Sequence, residues 1–581
     1  MKYLRLFLKE RKGKVAMTLI MLLCQVVGTL LIPFLIAGII DNGILKGDIN
    51  KILQIGMQML LVLVITTAAS VLGSYYSADL AAALGYEMRD KIFRKSQEIS
   101  IREFDTIGVS SMITRTISDI SNLQQTFALV LQLIIPAPLI ISASIVMTGK
   151  ANFTLALILI AAIIIFLIAS GLVLKKSIFI SKRVQSKLDR INQIIREAIT
   201  GIRVIRAFGN EKYEEHRAGN AFNGYATDMI KLNRLFAMLN PAIWLIIGLS
   251  MAIILWLGGV LSIKGIMEIG QITAVIEYSI ITLSYLIIAT STSATLPKMI
   301  SSLNRIEEVL EINPEIQDLN IEKKDIKGNT PVVEFENVSF YYHGAEDPVI
   351  KELSFSCNKG ETTAIIGSTG SGKSTIANLI LRLHDINSGE IRINGTDIRN
   401  FSQNDLRNKI GYVPQKALLF SGTIEDNLRM GNKEATIKEM KRALKISQAE
   451  VFVDKLPMGL ETLVAQGGSN FSGGQKQRLS IARALARKAP LYIFDDSFSA
   501  LDLKTDSALR KSLKENMTDA AKIIIAQRVS TIMDADKILV LDEGKLVGIG
   551  NHKDLMKNCS VYQAITRSQM NIKEAEFNEE G

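Results

Sequence analysis

Six long apolar stretches crowd the first 300 or so residues of this 581-residue chain, and they constrain its fold more than any other feature. Five of them contain no charged residue: Val15–Ile40, Ile52–Ala78, Ile120–Gly149, Ala151–Leu174 and Leu235–Ile263. The sixth, Ile269–Pro297, carries one charge, Glu277. About 20 apolar residues suffice to cross the hydrocarbon core of a bilayer. Because a backbone in lipid must satisfy its polar groups internally, we expect six membrane-spanning helices. Buried helices of a soluble protein would be shorter and fewer.

The composition argues against several other classes of protein. With 48% apolar residues and a mean hydropathy of +0.24, the chain is too apolar for a disordered protein or an ordinary soluble enzyme. Its three cysteines, Cys24, Cys357 and Cys559, form no CxxC pair. A disulfide-stapled secreted protein and a structural zinc site are therefore not expected. The formal charge of +10 raises the possibility of nucleic-acid binding, which depends on where the charges lie.

Basic residues are distributed asymmetrically between the apolar stretches. Lys and Arg number six in Met1–Lys14, six in Asp79–Asp119 and thirteen in Lys175–Arg234, whereas the alternate connections contain two, one and one. Basic connections remain in the cytoplasm, so we predict a multi-pass protein of the bacterial cytoplasmic membrane with both termini inside. Much of the positive charge then orients the chain in the lipid bilayer, and no nucleic-acid partner is expected.

The two long basic connections have the character of helices rather than loops. Both lack proline, and Asp79–Gln97 and Ile178–Ala207 keep a helical spacing of apolar residues. We therefore expect the spanning helices to continue well past the membrane. The predicted turning points lie near Glu103–Met112 and Phe208–Glu215.

A soluble module follows Pro297. A helical segment and a polar linker lead to short β-like runs that alternate with helical patterns. These runs are Val332–Phe340, Thr362–Ile366, Leu491–Phe494, Lys522–Ala526 and Lys537–Leu541. The alternation predicts an α/β domain built on a parallel sheet.

The segment Gly367-Ser-Thr-Gly-Ser-Gly-Lys373-Ser374 fits the phosphate-loop pattern, between an apolar run and a helical pattern. Glycines let backbone N–H groups surround a phosphate, and the helix N-terminus adds positive potential. We predict a nucleotide with Mg²⁺ here, with Lys373 reaching the β- and γ-phosphates and Ser374 holding the metal. The predicted nucleotide-binding residues of the loop are Gly367, Ser368, Thr369, Gly370, Ser371, Gly372, Lys373, Ser374 and Thr375.

Two carboxylates, Asp495 and Asp496, end the hydrophobic run Leu491–Phe494, as is needed to orient Mg²⁺ beside a phosphate loop. Shortly before this run comes Phe471-Ser472-Gly473-Gly474-Gln475. Ser-Gly-Gly-Gln ahead of such a strand resembles the signature of ATP-binding cassette (ABC) proteins. Six spans before one cassette resemble the layout of ABC exporter half-transporters, so the resemblance covers essentially the whole chain.

The resemblance implies roles for further residues. Tyr342 matches the aromatic residue that stacks on adenine, although an ordinary strand aromatic is the alternative. Gln415 matches the loop glutamine that senses Mg²⁺ and contacts the membrane domain. The segment Ser499-Ala500-Leu501-Asp502 matches the dimer-interface loop, and in the family the signature completes the ATP site of the opposite subunit. The implied Mg²⁺ ligands are Ser374, Gln415 and Asp495.

The sequence departs from the family pattern at two catalytic positions. Asp496 stands where a Glu usually positions the attacking water, and Gln527 stands where a switch His is usual. The Asp carboxylate is drawn back by one C–C bond, about 1.5 Å, and Gln carries no switchable proton. We expect this chain's own site to bind ATP and to hydrolyse it poorly, although neutral drift is the alternative. The combination resembles the degenerate-site subunit of bacterial heterodimeric multidrug exporters, so the expected partner is a homologous half-transporter.

The resulting functional hypothesis is ATP-driven export of hydrophobic or amphipathic compounds by alternating access. Lipid or peptide export by the same architecture, and an ATP-regulated membrane protein without transport, are the alternatives. Glu277 costs about 2.5–3.5 kcal/mol at mid-membrane, so we expect it to face protein or a water-filled cavity. In such a cavity it would favour cationic substrates. The alternative is a residue near the external interface or an intramembrane hydrogen-bond partner.

The expected organisation is a multidomain membrane protein: a six-helix, all-α transmembrane domain followed by an α/β P-loop nucleotide-binding domain. The predicted boundaries are 1–312 for the transmembrane domain, 313–330 for a linker, 331–570 for the nucleotide-binding domain and 571–581 for a polar tail.

Overall fold

The computed structural model describes residues 2–318 and 330–579, apart from the side chains of residues 239–240 and 570–579. The chain divides into two compact units. The first comprises Met1–Gln97 and Ile107–Ile312, and the second comprises Glu98–Thr106 and Asn313–Gly581. Residues 319–329 of the predicted linker, and residues 580–581 of the predicted tail, lie outside the described residues. The domain boundaries named above therefore stay predictions.

The first unit is built from helices, with short π-helical turns at Ile40–Ile44, Arg115–Asp119 and Val130–Ile134. One helix between the second and third spans, α4, belongs to the second unit. The helices in this part of the chain are α1 (Lys2–Glu10), α2 (Lys12–Ile39), α3 (Ile49–Glu98), α4 (Ile101–Ile107), α5 (Val109–Thr114), α6 (Ile120–Leu129), α7 (Pro136–Ala151), α8 (Phe153–Thr200), α9 (Ile202–Phe208), α10 (Glu211–Ile263), α11 (Ile269–Ser293) and α12 (Leu296–Leu310).

Six helical segments in the described part of the chain are long and apolar enough to cross a membrane, which confirms the six predicted spans. They run from 33 to 53 residues, longer than the apolar stretches themselves, as the helical spacing of the basic connections indicates. The breaks fall where glycine takes a left-handed conformation, at Gly108 (φ 79°) and Gly209 (φ 64°). Glycine alone adopts this conformation without steric cost.

Packing within the first unit joins helices that are distant in sequence. The Tyr278 hydroxyl of α11 donates to the Leu30 carbonyl of α2 at 3.1 Å. Nearer the end of the domain, the buried carboxylate of Asp119 accepts from Ser302 Oγ at 2.9 Å and from Arg305 Nε at 2.7 Å. A buried carboxylate needs such partners, and here they fix α12 against the π-helical turn that ends at Asp119.

Among its described residues, the second unit contains three sheets. A six-stranded sheet has the order β12-β11-β3-β10-β9-β6, a four-stranded sheet β2-β1-β4-β5, and a two-stranded sheet β7-β8. The strands are β1 (Val333–Phe340), β2 (Ile350–Cys357), β3 (Thr362–Gly367), β4 (Ser388–Ile393), β5 (Thr396–Asp397), β6 (Ile410–Val413), β7 (Gly422–Thr423), β8 (Leu463–Val464), β9 (Leu491–Asp495), β10 (Ala521–Ile525), β11 (Lys537–Asp542) and β12 (Lys545–Gly550).

Four of the five β-like runs fall in the six-stranded sheet, where β11, β3, β10, β9 and β6 are parallel. The fifth run, Val332–Phe340, was wrongly assigned to it: β1 pairs antiparallel with β2 and β4. Exposed and buried side chains mix along β1, whereas every residue of β9 is buried. A strand with one solvated face is typical of an antiparallel sheet, and a strand buried on both faces is typical of a parallel one.

Apolar layers are buried on both faces of the parallel sheet, one of them shared with helix residues and the four-stranded sheet. Ile365 and Ile493 face one layer, and their neighbours Ile366 and Phe494 face the other. The helices of this unit beyond α4 are α13 (Lys373–Ile380), α14 (Gln403–Asn408), α15 (Ile424–Arg429), α16 (Ile437–Ile446), α17 (Glu450–Val453), α18 (Gly473–Ala486), α19 (Leu503–Asn516), α20 (Val529–Ile532), α21 (His552–Asn558) and α22 (Ser560–Glu579).

Candidate nucleotide site

Four neighbouring parallel strands deliver the predicted site residues to one edge of the sheet. The phosphate loop follows β3, Gln527 follows β10, Asp495 and Asp496 end β9, and Gln415 follows β6. The register places Ile525 beside both Ile365 and Asp495. In open α/β sheets, ligands bind at the carboxyl ends of the strands, so this edge is the candidate nucleotide site.

The phosphate loop has the backbone conformation that its glycines allow. Gly370 and Gly372 have φ values of 86° and 93°, in the left-handed region. A Cβ on Gly372 would also lie 2.8 Å from the Val349 carbonyl. The Lys373 ammonium donates to the Gly367 and Ser368 carbonyls at 2.9 and 2.6 Å. Burial lowers the pKa of Lys373, while Asp496 and Asp495 act to raise it.

Two of the three predicted Mg²⁺ ligands lie together. Ser374 Oγ donates to Asp495 Oδ1 at 2.9 Å. Burial raises the pKa of the Asp495 carboxyl, and the hydrogen bond from Ser374 acts in the opposite direction. A buried carboxylate beside a hydroxyl is an oxygen donor set that suits Mg²⁺, and a bound cation would compensate the buried charge. Ser374 and Asp495 would hold the metal, which supplies charge neutralisation between the β- and γ-phosphates.

Gln415, the third predicted ligand, bonds instead to Asp496. Its Nε2 donates to Asp496 Oδ2 at 3.2 Å, and Gln527 Nε2 donates to the same oxygen at 2.9 Å. Burial raises the pKa of the Asp496 carboxyl, against the lowering effect of the Gln415 hydrogen bond. The predicted catalytic residues Asp496 and Gln527 therefore meet the loop glutamine, Gln415, at Oδ2 of Asp496.

The backbone at Asp496 is unusual. Its φ is 44°, in the left-handed region that few non-glycine residues adopt. The Asp496 N–H donates to the Ile525 carbonyl of β10 at 2.8 Å, and Ser499 Oγ donates to the Asp496 carbonyl at 2.9 Å. These two hydrogen bonds fix the position of the Asp496 backbone. The distance to which the carboxylate extends from it then depends on the length of the side chain.

Tyr342 lies within reach of the helix that follows the phosphate loop. Its hydroxyl is 3.2 Å from Thr375 Oγ1, and its ring packs edge-on against Phe340 and His384. About two-fifths of the side chain is exposed, which suits a ring that offers a face to a base. His384 is a neighbour that sequence reasoning missed, because nothing in its surroundings along the chain distinguishes it.

The signature residues form the start of α18. Ser472 Oγ accepts from Gln475 N at 3.3 Å, and Gln475 Oε1 accepts from Ser472 N at 2.9 Å, a reciprocal helix cap. Phe471 is buried in the apolar cluster of this region. A Cβ on Gly474 would lie 3.5 Å from the Ala500 carbonyl, so the signature lies beside the predicted dimer-interface loop.

That loop, Ser499–Asp502, leads into α19. Asp502 Oδ1 accepts from Thr505 N at 2.9 Å and caps the helix. Leu501 is buried against the second apolar layer of the sheet, whereas Ala500 is exposed. The loop therefore presents a rigid, partly exposed turn next to the signature.

Glu277 lies in the sixth span, half-buried on α11. Among the described residues it has no hydrogen-bond or ion-pair partner. Tyr285 lies two helical turns further along α11. Within the part of the chain that the structure describes, no cation forms an ion pair with Glu277.

A six-span membrane unit joined to a P-loop α/β unit with a signature helix defines the class of protein. Residues 15–286 match the family model for the ABC transporter transmembrane region, and residues 350–499 match that for the ABC transporter. The chain belongs to the ABC transporter family, as an exporter whose ATP-binding domain makes it an ATPase coupled to transport. The predicted fold class is confirmed.

Similar proteins span nearly the full length of the chain. An uncharacterized ABC transporter ATP-binding protein of Mycobacterium tuberculosis is 35% identical over 97% of both chains. An ATP-dependent lipid A-core flippase of Pseudomonas fluorescens is 31% identical over 89% of this chain and 85% of its own. A bacterial Atm1-family ABC exporter with ATP bound is 27% identical, with a TM-score of 0.79 over 96% of this chain and 98% of its own. These relatives and the six spans support a bacterial membrane protein.

Proposed function

We propose that this chain is the weakly hydrolytic half of a heterodimeric exporter that moves hydrophobic or amphipathic compounds out of the cytoplasm. The observation that carries the proposal is the state of Asp496, whose Oδ2 accepts from both Gln415 and Gln527. A general base must be positioned within hydrogen-bond reach of the nucleophile, and here both amides hold the carboxylate through one of its two oxygens.

The reach of the side chain supports the same conclusion. The backbone of Asp496 is fixed by Ile525 and Ser499, so its carboxylate ends about 1.5 Å short of where a glutamate carboxylate would lie. A misplacement near 1 Å can reduce a rate about a hundredfold. Gln527 can donate to a phosphate oxygen but has no proton to exchange near neutral pH. Binding of ATP and Mg²⁺ at Lys373, Ser374 and Asp495 depends on neither residue.

The well-formed signature supports the presence of a partner. The helix start at Ser472–Gln475 is capped, and Gly473 and Gly474 leave it open to an approaching phosphate. A helix N-terminus of this kind favours anions. In the proposed heterodimer it completes the ATP site of a homologous half-transporter that carries Glu and His at the matching positions. Closure of the two nucleotide-binding domains over two ATP molecules then opens the membrane cavity outward, and hydrolysis resets it.

Lipid export is a second candidate. The supporting observation is the 31% identity to proteins named ATP-dependent lipid A-core flippase, over most of this chain. An anionic lipid and a cationic amphiphile carry charges of opposite sign into the membrane. Glu277 is half-buried and unpaired within the described residues, which favours a cation over an anionic lipid.

The test is ATPase activity of the purified chain, alone and co-expressed with each homologous half-transporter of its own cell that has Glu and His at the matching positions. We expect the chain alone to bind ATP and turn over slowly, since loss of general-base assistance costs about 10²–10⁴-fold. One pairing should restore rapid hydrolysis that cationic amphiphiles stimulate. Robust ATPase and transport by the chain alone would refute the heterodimer proposal, and stimulation by lipids only would favour the second candidate.

A further inference from the structure

Residues 527–529, the switch segment, are held by a side chain from near the C-terminal end of the chain. Gln569 lies on α22. Its Nε2 donates to the Gln527 carbonyl at 2.8 Å, and its Oε1 accepts from the backbone N–H of Val529 at 2.9 Å. One side-chain amide therefore binds the backbone on both sides of Arg528.

One of these two hydrogen bonds supplies a cap at the start of α20. Val529 is the first residue of this helix, and the first N–H groups of a helix have no acceptor inside it. The described side chain of Arg528, at the N-cap position, makes no capping hydrogen bond. Because Val529 is buried, an unpaired N–H at this position would be costly. Gln569 thus caps α20 from a different helix.

The helix that carries Gln569 is firmly anchored. Tyr562 is completely buried in the second apolar layer of the sheet, which also contains Val529. The Tyr562 hydroxyl lies 2.7 Å from His552 Nδ1. Thr566, which is 1% exposed, and Gln569 follow at spacings of four and three residues, which keep them on one face of the helix. The clamp therefore starts from a fixed support.

The other end of the switch segment is bound to the phosphate-loop strand. Ala526 N, directly before the segment, donates to the Ile365 carbonyl of β3 at 3.1 Å. The Gln527 side chain is exposed, so its position is set by its backbone and by its hydrogen bond to Asp496. That backbone is held from one side through Ala526 and from the other side by Gln569.

We propose that Gln569 is a positioning residue of the nucleotide site: its amide clamps the switch segment and thereby sets where the side chain at position 527 meets Asp496 and the terminal phosphate. The inference rests on the switch role proposed for Gln527. Both partners of Gln569 are backbone groups, so it acts through the switch segment and not on the reacting atoms. A hydrogen bond changes an equilibrium by about twofold to tenfold, which is large enough to measure in turnover.

The principal test is Gln569→Met, which keeps the length of the side chain and removes both hydrogen bonds. The assembled transporter is used with the partner's catalytic glutamate changed to glutamine, so that phosphate release from radiolabelled ATP reports this chain's own site. If the chain pairs with itself, the same variant is measured in that dimer. We expect kcat to fall about fivefold with little change in KM, and the Val529 amide to exchange its hydrogen about tenfold faster.

A double-mutant cycle tests whether Gln569 acts through the residue at position 527. In the Gln527→Ala background, Gln569→Met should change kcat by less than about twofold, because the side chain that it positions is missing. Faster exchange at Val529 should persist, since it depends on the backbone alone. A loss of kcat as large in this background as in wild type would overturn the positioning role.

Gln563 provides a matched control on the same helix. Its Nε2 donates to the Met556 and Lys557 carbonyls at 2.9 and 3.4 Å, away from the switch segment. Gln563→Met should leave kcat, KM and the exchange of Val529 unchanged. Equal effects of the two methionine variants would refute the proposal, since α22 as a whole and not the clamp would then be responsible.

Gln569→Glu repeats the test if the methionine variant does not assemble. A carboxylate still accepts from the Val529 N–H but cannot donate to the Gln527 carbonyl, so Val529 should stay protected while kcat falls at least about twofold. Wild-type turnover in this variant would overturn the proposal. Unchanged exchange in Gln569→Met would refute the clamp itself, whereas rapid ATPase of the unmodified chain alone refutes only the heterodimer.

Discussion

At the scale of single residues, the proposed weak hydrolysis depends on the methylene that Asp496 lacks relative to glutamate. Its backbone is fixed by Ile525 and Ser499, so nothing else compensates for the shorter side chain. Gln415 and Gln527 both donate to one of its two carboxylate oxygens, Oδ2. The Asp496 carboxylate thus joins Gln527, which departs from the family pattern as Asp496 does, to Gln415, which matches it.

Restoring both residues should restore hydrolysis at this chain's own site. In the assembled transporter, with the partner's glutamate changed to glutamine, we expect Asp496→Glu/Gln527→His to raise ATPase activity about tenfold to a hundredfold. Phosphate release at saturating ATP measures it. Asp495→Glu is the matched control, since it adds the same methylene to the predicted metal ligand and should lower activity. Unaltered turnover in the double variant would mean that the base is not what limits this site.

The buried carboxylate of Asp495 should make the nucleotide-binding domain sensitive to pH when Mg²⁺ is chelated. Burial raises the pKa of this group above the ordinary 3.8, so its ionisation at neutral pH opposes folding, and protonation as the pH falls removes that cost. Asp495→Asn should therefore melt a few degrees higher than wild type at pH 7.5. The difference should shrink as the pH is lowered toward 4. Calorimetry in EDTA measures this difference in melting temperature. A difference in favour of Asp495→Asn that grows as the pH falls would contradict the prediction.

At the scale of elements, the signature helix α18 serves two purposes. Its cap, formed by Ser472 and Gln475, satisfies the helix start within the chain. Its first residues, Gly473 and Gly474, remain open to another molecule. An ordinary N-cap explains the first purpose but not the second, because a glycine at these positions contributes nothing to helix stability.

Gly474→Asp should abolish most ATPase activity of the assembled transporter without unfolding this domain. A Cβ at this position meets the Ala500 carbonyl at 3.5 Å, an ordinary contact, whereas the added carboxylate repels the γ-phosphate of the partner's site. Lys441→Asp adds the same group to the exposed face of α16 and serves as control. Thermal unfolding should be similar for both variants. Normal ATPase turnover in the Gly474 variant would mean that the signature does not contribute to the partner's ATP site.

Four of the parallel strands, β3, β9, β10 and β11, were predictable because they are largely buried and read as continuous apolar runs, such as Leu491–Phe494. The strands β2, β4 and β6 carry polar or glycine residues and give no comparable signal. Motifs placed the phosphate loop and Asp495 at one sheet edge. The meeting of Gln415 and Gln527 on Asp496 was not predictable, since 81 and 31 residues separate them along the chain and only the strand order unites them.

At the scale of the whole molecule, Glu277 links the proposed substrate class to the membrane unit. We expect Glu277→Gln to reduce export of ethidium, a cationic amphiphile, several-fold more than export of a neutral amphiphile, because a carboxylate stabilises a cation in a low-dielectric cavity. Transport in proteoliposomes, corrected for ATPase activity, measures the ratio. Gln25→Glu/Glu277→Gln moves the charge to a neighbouring span and tests whether position matters. Equal losses for both substrates would instead indicate a structural hydrogen-bond role.

The strand order of the nucleotide-binding domain also sets when this domain can form during synthesis. The phosphate-loop strand β3 lies between β10 and β11. Its register pairs Thr362 with Lys522, 160 residues further along the chain, and Thr363 with Lys537, 174 residues further. At about 5–20 residues per second, β3 waits roughly 10–40 s on the ribosome for its neighbours. The six spans are already made by then, so membrane insertion precedes any help from ATP in folding. A nascent chain arrested before Lys537 would carry a complete phosphate-loop sequence and still bind no nucleotide.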